Sequence, residues 1–115
     1  SVKIAVIADL HAGDARLNGH IRGDIADLLL ARAVFWLNAG LRPDVTILLG
    51  DICDDGTSQT APSWYQKIKK ALDQVKGHTI AIPGNHDCPP DEFYKIFDRP
   101  GAWLDVKGVR LVPFI

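Results

Sequence analysis

From Val2 to Ala8 every position except Lys3 is apolar, and most are β-branched, the pattern of a strand buried on both faces. A polar, glycine-rich stretch from Asp9 to Gly23 then reads as a long loop. The spacing turns helical at Asp24, which is placed to cap, with Ile25, Leu28, Leu29 and Trp36 on one side and Gly40 as the stop. Asp44 to Leu49 predicts a second buried strand, cut off by Gly50-Asp51. Pro62 opens a second helix whose stripe of Trp64, Ile68, Ala71, Leu72 and Val75 faces a core, and Gly77 ends it. His78 to Ile82 is the third strand. Pro89-Pro90 starts a short helix running through Phe97, and Trp103–Val106 with Val109–Val112 predicts a hairpin around Lys107-Gly108. Strand, helix, strand, helix, strand is a βαβαβ unit, so the fold class is α/β with a parallel sheet and right-handed crossovers.

In such sheets ligands bind beyond the carboxyl ends of the strands. Each of the three strands here runs into a polar cluster: Asp9-Leu10-His11, Gly50-Asp51, and Gly84-Asn85-His86-Asp87. The topology brings Asp9, His11, Asp51, Asn85 and His86 to one edge. Carboxylates, imidazole and amide oxygen form a ligand set suited to Mn²⁺, Fe or Zn²⁺, and a dication relieves the repulsion between neighbouring carboxylates. Gly50 and Gly84 let the chain turn sharply off each strand. Asp-x-His and Gly-Asp are common on their own. Their order, each at a strand end, is the informative feature.

Composition adds boundaries. The 115 residues are 47% apolar and 23% charged, enough for one domain with a buried core. A net charge of −1 gives no global footprint for nucleic acid or a membrane surface, though it leaves room for a local basic patch. Nucleic acid is therefore a partner that charge does not support, no apolar run is long enough to cross a bilayer, and no membrane is expected as a partner. Two cysteines, Cys53 and Cys88, imply no disulfide framework, so the expected state is a reduced pair in the cytoplasm. The absence of an initiator Met implies a processed or trimmed start, and the apolar ending Val109–Ile115 predicts that residues 1–115 are the N-terminal part of a longer, single domain.

Taken together, Asp9-Leu10-His11, Gly50-Asp51 and Gly84-Asn85-His86-Asp87 resemble the first three motifs of the calcineurin-like metallophosphoesterase family. That resemblance implies one βαβαβ half of a four-layer α/β/β/α sandwich. It also implies that Asp9 and His11 bind a first metal, that Asp51 bridges two, and that Asn85 binds the second. His86 then faces the phosphate as acid or charge stabiliser, with Asp87 holding its ring, and Asn85 and His86 contact substrate. Two divalent ions, Mn²⁺ foremost, would clamp the phosphoryl oxygens for attack by a bridging hydroxide. The family's later histidine motifs have no match here, because the histidines stand at 11, 20, 78 and 86 only. The second metal site is thus expected to be incomplete, and the chain alone to lack full activity.

Where the protein phosphatase branch carries an arginine in its Gly-Asp-x-x-Asp-Arg-Gly loop, this chain has Asp55. An acidic residue there disfavours doubly charged monoesters, so phosphodiesters, small-molecule or nucleotide, are the expected substrates. Asp54 is read as capping or orienting the Asp51 loop, and His20, with Arg16 and Arg22, as a solvated loop. His78 is read as structural, and Trp36 and Trp64 as core. The competing reading is a non-catalytic scaffold on the same fold that binds protein partners. A nucleotide-binding domain is a third, disfavoured because Asp9-Leu10-His11, and not a Gly-rich phosphate-binding motif, follows the first strand. If the domain is incomplete, an uncovered apolar face and self-association are expected.

Overall fold

The computed structural model describes residues 1–14 and 22–115. Its elements are β1 (Ile4–Ala8), a single 3₁₀ turn (Gly23–Ile25), α1 (Ala26–Ala39), β2 (Val45–Leu49), α2 (Ala61–Leu72), β3 (His78–Ile82), a one-turn α3 (Pro90–Phe93), and a hairpin of β4 (Leu104–Val106) and β5 (Val109–Leu111). The alternating β-α-β-α-β order is the α/β unit that the strand and helix patterns predict. β1, β2 and β3 form a parallel sheet in sequence order, with Ala8, Leu49 and Ile82 in one row at its carboxyl edge. All three ligand loops leave from that row.

Both long helices lie against each other on one face of the sheet. Leu48 and Ala81 meet Leu30, Val34, Trp64, Tyr65 and Ile68 in one continuous core. α2 is built as its stripe predicted: Trp64, Ile68, Ala71, Leu72 and Val75 are all buried. Pro62 stands in its first turn, where the missing N–H goes unneeded. The hairpin turns through Lys107 and Gly108 at φ 49° and 80°, the two left-handed residues of a tight two-residue connection.

Four expectations need correction. β1 is not buried on both faces: Ile4 and Val6 are exposed. The face they share with Ile47, Leu49, Ile80 and Ile82 is covered only in part, by Leu111 to Pro113 around a shallow cavity of about 170 Å³. An uncovered apolar face is therefore present. Second, α1 is turned the other way about its axis. Ala26, Leu30 and Val34 are buried, whereas Leu28, Leu29 and Trp36 point outward. The helix is apolar on both sides, so periodicity alone could not choose, and the narrower Ala26–Leu30–Val34 line is the one that lets α1 sit close to its neighbours. Third, Asp24 does not cap α1. It lies in the preceding 3₁₀ turn, where its carboxylate accepts from Arg22 at 3.0 and 3.2 Å. The helix predicted from Pro90 through Phe97 is regular only to Phe93 and continues as hydrogen-bonded turns. Those turns still bury Phe93 and Phe97, stacked with ring centroids 4.5 Å apart.

Candidate metal centre

The loops after β1 and β2 stay paired beyond the strands. Asp9 N–H donates to Gly50 O at 3.2 Å, His11 N–H to Asp51 O at 2.9 Å, and Ala12 N–H to Ile52 O at 2.9 Å. Continuing this ladder through a bend puts Asp9, His11 and Asp51 in the left-handed region, at φ 57°, 48° and 48°. Non-glycine residues are rare there, and the strain is worth about 1–3 kcal/mol each. Gly50, at φ 74°, carries the turn that only glycine takes freely. Gly84 is needed for a different reason than the sharp turn expected of it. A Cβ there would lie 2.4 Å from both the Asp51 nitrogen and its Oδ1, so the third loop could not approach the second.

The result is one group. Asp9, His11 and Asp51 each offer a ligand atom, and the three atoms all lie within 4.8 Å of one another. His11 Nε2 is 3.9 Å from Asp51 Oδ2, too far for a hydrogen bond. Bonds of about 2.0–2.2 Å to a shared ion would set ligand atoms at such a separation. The other face of His11 is held as metal-bound imidazoles are held: Nδ1 donates to Asp54 Oδ1 at 3.1 Å, which turns the Nε2 lone pair toward Asp51. Asp54, read from sequence only as a loop-orienting residue, therefore supports the ligand set. A second combination, His11, Asp54 and His86, also brings three ligand atoms together. There, however, Nδ1 of each ring is already committed to hydrogen bonding. The Asp9–His11–Asp51 set is the one that fits a dication.

Asn85 and His86 flank Asp51. With its nitrogen toward the carboxylate, the Asn85 amide donates to Asp51 Oδ1 and Oδ2 at 3.1 and 3.3 Å. Turned over, it would place its oxygen against the same two acceptors, which only a cation between them would make favourable. His86 N–H donates to Asp51 Oδ1 at 2.9 Å. The His86 ring stands edge-on to His11 with centroids 5.1 Å apart. Its Nδ1 donates to the Asp54 carbonyl at 2.9 Å, and since a carbonyl only accepts, the proton is on Nδ1 and Nε2 is left for solvent or substrate. That carbonyl raises the His86 pKa above its ordinary value; burial opposes it, and the carboxylates of Asp51, Asp54 and Asp87 add lesser upward effects.

Asp87 does not hold the His86 ring. Its carboxylate points inward and accepts from Ile52 N–H at 3.1 Å, Cys53 N–H at 2.9 Å, Gly84 N–H at 2.8 Å and the Tyr65 hydroxyl at 2.9 Å. Tyr65 O also accepts from Cys88 N–H at 3.0 Å. Burial keeps its phenol protonated by pushing its pKa well up. Cys53 and Cys88 are buried and free. Burial, and then the nearby Asp87, push the Cys53 thiol up to about 12.

An acidic recess of about 220 Å³, lined by Asp14, Asp54, Asp55, Ser58, Thr60 and Trp64, adjoins the group. Asp14 is fixed in it by Thr60 Oγ1 at 2.6 Å and by the Trp64 indole N–H at 2.8 Å. Those hydrogen bonds hold its carboxyl below the usual range. Asp55 is exposed, and its carboxylate is taken by Thr57. Arg16 and His20 lie outside the described residues.

A family model described as calcineurin-like phosphoesterase matches residues 2–113. The chain belongs to that family. Among curated relatives, it is 35% identical over 92 residues to a 3′,5′-cyclic-nucleotide phosphodiesterase of Nostoc sp., covering 76% of this chain and 31% of that protein. It is 34% identical over 88 residues to a cAMP/cGMP dual specificity phosphodiesterase of Mycobacterium tuberculosis, covering 70% and 26%. Metallophosphoesterase 1 of Gallus gallus is 25% identical over 130 aligned positions, covering 94% and 32%. The chain spans about a third or less of the length of these relatives. Family membership and the Asp9–His11–Asp51 group together place this calcineurin-like phosphoesterase among metal-dependent hydrolases by type.

Proposed function

We propose that the site hydrolyses phosphodiesters, cyclic nucleotides among them, with two divalent ions and Mn²⁺ foremost. The observation that carries this reading is Asp9, His11 and Asp51 converging beside an exposed His86 whose Nδ1 is fixed by the Asp54 carbonyl. Asp9, His11 and Asp51 would hold one ion. Asp51 and Asn85 would contribute to a second, which they leave open to further ligands. When bound, such ions supply Lewis-acid charge and lower the pKa of bound water.

The chain's own groups do the rest. Asp54 orients His11 through Nδ1 and His86 through its carbonyl, so one residue sets both rings. Protonated His86 would present Nε2–H to the departing alkoxide, its Nδ1–H being held by the Asp54 carbonyl. The backbone N–H of His86 pins Asp51 Oδ1, so the carboxylate does not swing when substrate charge arrives. Exposed Asp55, on the loop beside His86, repels a dianionic monoester more than a monoanionic diester. The phosphodiesterase names of the relatives point the same way.

The test compares hydrolysis of bis(p-nitrophenyl) phosphate and p-nitrophenyl phosphate after Mn²⁺ loading, for wild type, Asp51→Asn and His86→Ala, with Mn²⁺ binding followed by calorimetry. The expected result is a diester preference. Asp51→Asn loses metal, while His86→Ala keeps metal and loses about 10²-fold or more in rate. Preference for the monoester would overturn the substrate assignment. Tight metal binding with no hydrolysis of either ester would favour the scaffold reading.

A further inference from the structure

We propose that the outer face of α1 docks onto an anionic phospholipid surface. Leu28, Phe35 and Trp36 are each 64% exposed, and Leu29 and Leu41 are about half exposed. Leu28, Phe35 and Trp36 share one side of the helix, turned away from the buried Leu30 and Val34. The Phe35 and Trp36 rings meet edge-to-face at 5.6 Å and leave their outer surfaces in water. A contiguous exposed patch of this kind marks an interaction surface. It also lies on the opposite side of the molecule from the uncovered sheet face, so what covers one does not cover the other.

Charge selects the occupant. Arg32 stands within the apolar face, and Arg42 and Lys76 flank Phe35 across a shallow cleft of about 330 Å³ that no carboxylate lines. Among the described residues none of these three cations makes an ion pair, and the neighbouring Asp73 is taken by Lys69. The cleft is held in shape by Asn38, whose amide donates to Gln74 O at 2.8 Å and accepts from Lys76 N–H at 2.9 Å. A second copy docking two-fold on this patch would set like charges against like. Lipid phosphates instead satisfy the cations while the acyl boundary takes Leu28, Phe35 and Trp36, the arrangement of interfacial helices. With a net charge of −1 the attraction is local, so one 14-residue helix gives reversible binding rather than an anchor.

The test is co-sedimentation of the protein with phosphatidylcholine vesicles, with and without roughly one third phosphatidylglycerol. A Trp103→Phe background carrying brominated acyl chains in the bilayer reports on Trp36, because Trp64 is buried. We expect about tenfold or greater preference for the anionic vesicles and quenching of Trp36 emission. Phe35→Ser with Trp36→Ser should remove binding to both vesicle types. Arg42→Glu with Lys76→Glu should remove the anionic preference. All four sites are exposed, so circular dichroism should show unchanged folding. Absent or equal binding to the two vesicle types, or binding that survives both double variants, would overturn the proposal. A Trp36-dependent dimer or a complex with an acidic protein, without quenching by brominated lipid, would do so as well.

Discussion

His86 and Asp87 are neighbours in the chain and belong to different regions of the molecule. His86 stands with Asn85 on an exposed rim, hydrogen-bonded to the protein through one ring nitrogen and its backbone, with its ring edge-on to His11. Asp87 sits in a knot beneath, where one carboxylate gathers three backbone N–H groups and a tyrosine hydroxyl from three separate segments. The rim is shaped for something that arrives, and the knot fixes where the rim stands. In a turn successive side chains diverge, so an acid placed next to a histidine is badly placed to hold its ring. The backbone carbonyl of Asp54, reaching in from another loop, does that instead.

The largest effect that would break this contrast belongs to the knot. Asp87→Ala leaves Ile52 N–H, Cys53 N–H, Gly84 N–H and the Tyr65 hydroxyl without their acceptor, and should cost about 3 kcal/mol or more in urea unfolding. A loss under about 1 kcal/mol would mean that water replaces the carboxylate and that the knot is no anchor. Next comes Tyr65→Phe, which removes the donor to Asp87 and the acceptor for Cys88 N–H at nearly constant volume. It should cost about 1–2 kcal/mol and leave the diester rate within a few-fold of wild type. Smallest in stability is His86→Ala, expected within about 0.5 kcal/mol of wild type despite its large effect on rate. If His86→Ala unfolded the protein as readily as Asp87→Ala, the division between rim and knot would be wrong.

The sheet and the positions of the site were readable because the signals were redundant. The three strand-like runs end in Asp9, in Gly50 and in Pro83-Gly84, and parallel topology sets which ends share an edge, so Asp9, His11 and Asp51 are placed without any knowledge of side-chain direction. What failed depended on direction. Leu28, Leu29 and Trp36 recur at helical spacing, but so do Ala26, Leu30 and Val34, and only the packed partner decides between two apolar faces. The sequence shows less of Asp54 because its contribution is half backbone: the side chain serves His11 and the carbonyl serves His86. The Gly50-Asp51-x-x-Asp54 spacing was the available signal, since an acid three residues past a ligand returns to the same side of a tight loop. Tyr65 offered none, because a helical aromatic looks like core whether or not its hydroxyl reaches across to a loop.

The left-handed backbone at Asp9, His11 and Asp51 bears on how such a site could arise. Aspartate, asparagine and histidine are the non-glycine residues that most readily occupy that conformation, and they also donate to metals. A strand that ends in a tight bend therefore recruits ligand atoms as a by-product of solving a backbone problem. On this view the bend can come first, and the metal is gained by an existing corner with few further substitutions. The same overlap explains why Gly-Asp reads as punctuation in a sequence even where it is chemistry.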